Sequence, residues 1–410
     1  MKTMKNVLII MAVLVSGVVM SCAGKASSDG FETTIIEQAV LDSAAMLVVD
    51  STERRFDRLT DAHVMLVYHD SLLIASNSVQ AYGDPLLSFY EMRGRLHHLA
   101  DYIPSGSDTD EMVACRIAIT GDELFVNDCY YTGRYGTISL RKPLLKADAL
   151  HLSHSGVEER GVAAVPFRRG LLVENPQCFF DDEAGIHNDV PRLLYYEQGR
   201  CLTPQKHVTF QVADVNTGAD LHSNTARRRV CFVSHRQPVV EFYNDIPEQS
   251  SPTRSLSLRL LRLVTLPSDA PQKIQVGMPK TTMHQKRHHG DRGAGIGATF
   301  DQTRRVVGAS NQLHAFLCSA ADDEHVYLAY CGKQFSYDYH TYPTYILVLD
   351  WNGNLVDTYC FDRWIQALSP SAETGVFYLT VYADDDSHSA QMRLVKVVPR
   401  SSAPLESTMP

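Results

Sequence analysis

Tyr345-Ile346-Leu347-Val348-Leu349-Asp350-Trp351-Asn352-Gly353-Asn354 is the stretch on which the fold turns. Its first five residues are apolar and rich in β-formers, so they read as a strand. Asn352-Gly353 marks a tight reversal, because both residue types tolerate positive φ. Leu355 to Phe361 follows as the returning strand, and His325-Val326-Tyr327-Leu328-Ala329-Tyr330 precedes it as a third. The chain is therefore a meander here, and Gly375-Val376-Phe377-Tyr378-Leu379 opens another.

Working outward, the same kind of run recurs at Val64 to Tyr68, Leu72 to Ala75, Glu123 to Val126, Leu171 to Glu174, Val230 to Val233 and Val376 to Val381. Each is bounded by Gly, Asp, Asn or Pro. Helical periodicity is scarce; Glu37 to Val49 alone is helical by composition, although Thr33 to Ile36 before it reads as strand. One strand type, apolar with an aromatic near its end, returns at Tyr90, Leu140, Tyr196, Tyr243, Leu349 and Val395, at intervals of 50, 56, 47, 106 and 46 residues. Most of these intervals match one propeller blade, roughly 40 to 50 residues. The doubled interval hides either a degenerate blade or an insertion, and between Glu248 and Phe300 only Ser255 to Leu266 reads strongly as strand. An all-β fold follows, a six-bladed β-propeller with a long insertion near 248–300, preferred over seven blades.

Val326 through Lys333, Tyr345 through Asn354 and Val376-Phe377-Tyr378 resemble the TolB-like six-bladed β-propeller lipoproteins of Bacteroidetes. The resemblance is strongest over about 310–398, faint over 60–245, and departed from between Pro279 and Gln302. It implies an architecture and a location and almost no mechanism. A propeller closes its ring by lending a terminal strand to the last blade, and Thr33 to Ile36 is the expected donor. The propeller domain is thus expected over 31–399, with Arg400 to Pro410 a loose tail, rich in Ser and Pro with nothing to bury.

The amino terminus carries Lys2 and Lys5, an apolar core from Val7 to Val15, and Val19-Met20-Ser21-Cys22. That core is too short to span hydrocarbon comfortably and no stop-transfer pattern follows, so 1–21 reads as a signal peptide. It resembles the bacterial lipoprotein signal, which implies lipidation of Cys22 and a short linker over 22–30. Ala23, in place of the aspartate of an inner-membrane retention signal, implies an outer-membrane lipoprotein on the periplasmic side or the cell surface. A formal charge of −9 argues against nucleic acid as a partner. The eight cysteines beyond Cys22 are scattered, without C-x-x-C or finger spacing, and several lie in apolar runs, so most of them read as core.

Ligand sites in propellers usually lie on the face carrying the loops between the second and third strands of each blade. Those loops gather tyrosines and a few cations, from which Tyr131, Arg134, Tyr135, His187, Lys333, Tyr339 and His340 are the candidate ligand-binding residues. Tyrosine offers a flat apolar face with a polar tip, suited to a sugar or peptide, although rings packing loops onto the rim would look the same in sequence. His284, His288, His289 and Asp291 lack a helix and are interleaved with Lys286 and Arg287, so they read as a basic loop rather than a metal site. Gly293 to Gly297 lacks the strand, helix and lysine of a phosphate loop and reads as a connector. Asp181-Asp182-Glu183 and Asp384-Asp385-Asp386 fit no calcium loop and read as solvated turns; no cofactor is expected, calcium being the one ion such oxygens suit.

No Gly-x-Ser-x-Gly elbow and no His-Glu-x-x-His is present. The sequence therefore points to a binding or scaffold module for a glycan, a peptide or an envelope protein. That reading expects a tyrosine-lined face and no inward convergence of carboxylates and histidines. The alternative, a propeller hydrolase or lyase with a channel site and possible calcium dependence, expects such a convergence.

Overall fold

The computed structural model describes residues 31–50, 62–77, 83–93, 95–104, 112, 115–128, 134–141, 153–154, 163–174, 180–182, 185–186, 193–197, 200–202, 219–235, 237–246, 258–268, 274–285, 298–309, 313–334, 341–382 and 392–400. Cys22, Tyr131, His187, Tyr339 and His340 lie outside them. Among the described residues no helix is long and apolar enough to cross a membrane.

Among the described residues the chain is all-β apart from one short helix, Gln38–Asp42. Antiparallel meanders follow one another along the sequence, over 62–104, 115–154, 164–201, 219–265, 313–361 and 367–399. Their first strands are Ala62–Tyr68, Cys115–Thr120, Ala164–Phe167, Ala219–Asn224, Leu313–Ala321 and Ala367–Pro370. Ala62–Tyr68 touches Cys115–Thr120, and Ala164–Phe167 reaches back to the second strand of that meander, Glu123–Asp128. From Ala164–Phe167 onward the inner strands touch in turn until Ala367–Pro370 returns to Ala62–Tyr68. The sheets therefore stand around a common axis, the arrangement of a β-propeller.

The apolar core is divided accordingly. Each buried cluster is a seam between two neighbouring sheets. Ile74 and Phe89 meet Leu124 and Ile138 where the first two meanders join. Phe125 with Leu171 and Val173 joins the next pair, and Phe167 and Leu193 with Phe232 and Tyr243 the pair after that. Phe242 and Val264 pack with Leu328, Leu347 and Trp351; Ile346 and Phe361 pack with Phe377 and Leu379. Met65 and Leu73 with Tyr378 and Leu394 complete the circuit from last meander to first. Burying both faces of a sheet in two seams explains the near-continuous apolar second strands, such as Leu72–Asn77 and Glu123–Asp128.

The predicted strands are found, and the repeating strand type is in every case the third strand of its meander: Pro85–Arg93, Arg134–Ser139, Leu193–Glu197, Val239–Asp245, Thr344–Asp350 and Met392–Pro399. The doubled interval contains the last strand of one meander, Leu258–Thr265, then an extra hairpin of Ile274–Gln285 with Ala298–Ala309, then the first two strands of the next. That hairpin lies outside the ring of meanders, in a separate sheet with Phe180–Asp182 and Gly185–Ile186. His284 falls within its first strand, while His288, His289, Asp291 and Gly293 to Gly297 lie outside the described residues. Of the eight scattered cysteines, Cys115, Cys231 and Cys331 are buried and unbridged, and Cys318 and Cys360 are half-buried and unbridged.

Ring closure departs from the expectation. Glu32–Ile35 pairs in parallel with Leu258–Thr265, so it extends the 219–265 sheet and not the last one. Ala45–Val49 instead closes the last sheet, antiparallel to Met392–Pro399, and also pairs in parallel with Leu355–Phe361. Two sheets become one eight-stranded sheet through it. The stretch expected to be helical over 37–49 is helical only at Gln38–Asp42, because Met46, Leu47 and Val48 find strand partners that outweigh local propensity. Gly353, predicted as the turn glycine, has φ +78°, and a Cβ there would meet Phe242 and Arg262 of the neighbouring sheet at 2.8 Å.

Candidate functional site

A cavity of about 240 Å³ lies on the axis, at the end where the first strands begin and the second strands finish. This is the face on which the second-to-third-strand loops emerge, as expected for a propeller site. All of the meanders contribute to its wall, which is largely aliphatic, as at Leu66, Ile117, Leu221 and Leu368.

Into this wall the sequence sets a polar group. Asp220 and His222 alternate on Ala219–Asn224 and so share a face of the strand. His235 follows directly after the second strand of the same sheet, Arg229–Ser234. Ser319 comes from Leu313–Ala321 in the adjoining sheet, and Arg116 from Cys115–Thr120 across the axis. Arg116 Nη1 donates to the Ala219 carbonyl over 2.6 Å and lies 3.9 Å from Asp220 Oδ1. His235 Nε2 is 3.1 Å from the same oxygen, off the line of a good hydrogen bond. The Ser319 hydroxyl donates to Asp220 Oδ2 over 2.7 Å, and His222 Nε2 is 2.7 Å from Ser319 Oγ.

These contacts fix the protonation pattern. Burial alone would raise the Asp220 carboxyl, but His235, Arg116 and His222 together outweigh it and hold the group well below the usual carboxylate range. Asp220 is thus an anion that keeps 23 % of its side chain open to the cavity. Burial pushes the His222 imidazole down, with Asp220 opposing and His235 adding to the effect, so the neutral ring is favoured. A carboxylate only accepts hydrogen bonds, so the Ser319 proton points at Asp220 and His222 must be the Nε2–H donor to Ser319. This is the reverse of a nucleophile–base pair, in which the ring nitrogen would accept from the hydroxyl. The arrangement orients groups; it does not activate Ser319.

On the other side of the His222–Ser319 bridge lies a second axial cavity of about 330 Å³. His222 and Ser319 line both. Its far end carries Tyr68, whose hydroxyl donates to Asp122 over 2.5 Å while Arg141 holds the same carboxylate. Burial, and then that hydrogen bond, push the Tyr68 phenol up to about 12. Among the described residues no group of three or more His, Cys, Asp or Glu side chains is arranged to hold a metal ion.

Of the predicted ligand residues, three are described. Arg134 and Tyr135 begin Arg134–Ser139, and Lys333 nears the end of His325–Gln334, so all three stand at the expected face. None of them lines the axial cavity. The Tyr135 ring packs 6.0 Å from that of Phe125, against the seam with Leu171 and Val173. The binding reading expected no inward convergence of a carboxylate with histidines, and here it is corrected by Asp220, His222 and His235. The missed residues, Arg116, Asp220, His222, His235 and Ser319, lie in or beside strands and not in the long loops searched. The signal available in sequence was the charge at alternate positions in Asp220-Leu221-His222, inside an otherwise apolar repeat.

No protein-family model matches the chain. No curated protein matches it. Among solved structures, a member of the DUF4221 family from Bacteroides vulgatus is similar at 7 % identity and TM-score 0.46, over 86 % of this chain and 98 % of that one. An auxiliary nutrient binding protein from Bacteroides thetaiotaomicron is similar at 8 % identity and TM-score 0.41, over 86 % and 75 %. The β-propeller domain of Myceliophteria thermophila Cps50 (Swd1) is similar at 8 % identity and TM-score 0.39, over 83 % and 98 %.

Proposed function

We propose that the chain is a six-bladed β-propeller lipoprotein of the TolB-like kind, anchored in the outer membrane through Cys22, that binds a glycan, a peptide or an envelope protein at one end of its channel. Six meanders with six apolar seams around one axis support the blade count. The leader and its terminal cysteine support the anchor. One observation carries the binding reading: Arg116, Asp220, His235 and Ser319, drawn from three sheets, bring polar groups into an axial cavity that is otherwise aliphatic. Burying charge is costly, and these groups open onto a cavity beyond the contacts that tie their sheets together, which is the placement that recognition uses.

Calorimetric titration of the mature chain with glycans and peptides, alongside Arg116→Met and Asp220→Asn, tests this. A ligand bound by the natural chain and lost in both variants is the expected result. Equal binding by all three would move recognition out to the loop rim around Tyr131, Arg134, Lys333 and Tyr339. Loss of membrane association in Cys22→Ser tests the anchor separately.

A further inference from the structure

Resting on that binding reading, we infer that the axial cavity takes one small uncharged molecule bearing several hydroxyl groups, a polyol of monosaccharide size. Its volume of about 240 Å³ falls just below the range of drug-sized pockets, roughly 300–1,000 Å³. That excludes a peptide segment or an oligosaccharide from the cavity itself.

The unused hydrogen-bonding capacity sets the chemistry. Asn127 is 4 % exposed and lines the cavity, yet among the described residues nothing satisfies its side-chain amide. Gln366 lines it too, with only its backbone N–H engaged, by Thr380. Arg116 uses Nη1 on the Ala219 carbonyl, lines the cavity and keeps 34 % of its side chain exposed. Two amides offer donors and acceptors together, which is what a hydroxyl needs, since it both gives and receives a hydrogen bond. Both amides line the cavity, where a hydroxyl of a bound molecule can pair with them in place of water.

Charge selects against small ligands of a single sign. Arg116 and Asp220 are opposed across 3.9 Å. An anion drawn to Arg116 is repelled by Asp220 from nearly the same distance, and a cation meets the reverse, so neither sign gains. Leu66, Ile117, Leu221 and Leu368 give the C–H faces of a polyol ring an apolar wall.

The test is calorimetric titration of the mature chain with a panel of neutral monosaccharides and alditols, each beside its uronate and its amino-sugar counterpart. At least one neutral member is expected to bind, with both charged counterparts about tenfold weaker or worse. Asn127→Leu is expected to weaken that neutral ligand by about tenfold, and Gln366→Leu serves if the first variant does not fold. Equal or tighter binding of a charged counterpart, or undiminished binding in the folded variant, overturns the inference. So does binding of a peptide or a longer glycan with no response to any neutral monomer, which leaves the binding reading standing. No response to any class of ligand sinks both.

Discussion

The Ser319 hydroxyl donates to Asp220 Oδ2 across 2.7 Å, although 99 residues separate the two in the chain. The bond ties neighbouring sheets together at the axis, and it also leaves His222 Nε2 with Ser319 as its acceptor. Ser319→Ala removes a donor from a carboxylate and an acceptor from an imidazole at once. We expect a loss of about 1–3 kcal/mol in urea unfolding, and Ser319→Thr to recover part of it. A loss below about 0.5 kcal/mol would mean that water takes the hydroxyl's place.

Acidification should weaken the fold in two stages. Both His222 and Asp220 have depressed pKa values in the folded chain, so the unfolded chain binds more protons at each. The contribution of His222 is complete above about pH 6.5, the value of a free histidine, and is lost as pH falls through its lower folded value. That of Asp220 is complete above about pH 3.9 and is lost below it. Arg116, His235 and Ser319 are the groups that face this pair. Thermal melts from about pH 8 to about pH 2 should show the midpoint falling on the acid side in both stages, and His222→Gln should remove the first stage only.

Asp245 is a second place where charge holds the ring, this time away from the axis. Its side chain is fully buried and is gripped by Arg168 of the preceding meander and by Arg228, whose Nη2 lies 2.9 Å from Oδ2. Arg168 Nε reaches the same oxygen at 2.6 Å. Asp245→Ala strands two guanidinium groups, which keep 26 % and 42 % exposure and so recover some hydration. A cost on the order of 3 kcal/mol follows, with Arg168→Met costing less. Chemical denaturation of both variants checks the order.

Leu47 lies 2 % exposed in the strand that fuses two sheets, packed with Ile346, Phe377 and Val397. Leu47→Ala should cost about 2–5 kcal/mol through lost burial and the cavity left behind. Hydrogen exchange should quicken first in Met392–Pro399, the strand that Ala45–Val49 covers. Uniform quickening over all the sheets would contradict this.

The architecture was legible because third strands repeat in kind and spacing, and because Asn352-Gly353 states its turn locally. Ring closure was not, since Ala45–Val49 sits in a stretch of helical composition and only long-range pairing decides which sheet it and Glu32–Ile35 each join. Of the expected rim residues, Arg134 and Lys333 stand at strand ends on the cavity side of the ring without lining the cavity. The axial group was missed for a physical reason. Arg116, Asp220 and Ser319 each occupy an ordinary strand position, and the property that matters, a shared axis, belongs to the closed ring and to no segment of it.

The clasp at the amino end sets an order on assembly. Residues 32–49 pair with 258–265, 355–361 and 392–399, so the earliest part of the polypeptide cannot dock until nearly the last has been made. Such distant partnerships slow the search for the native state. Until they form, the outermost strands of three sheets stay open to strangers, and it is in that interval that a chaperone would matter most to this molecule.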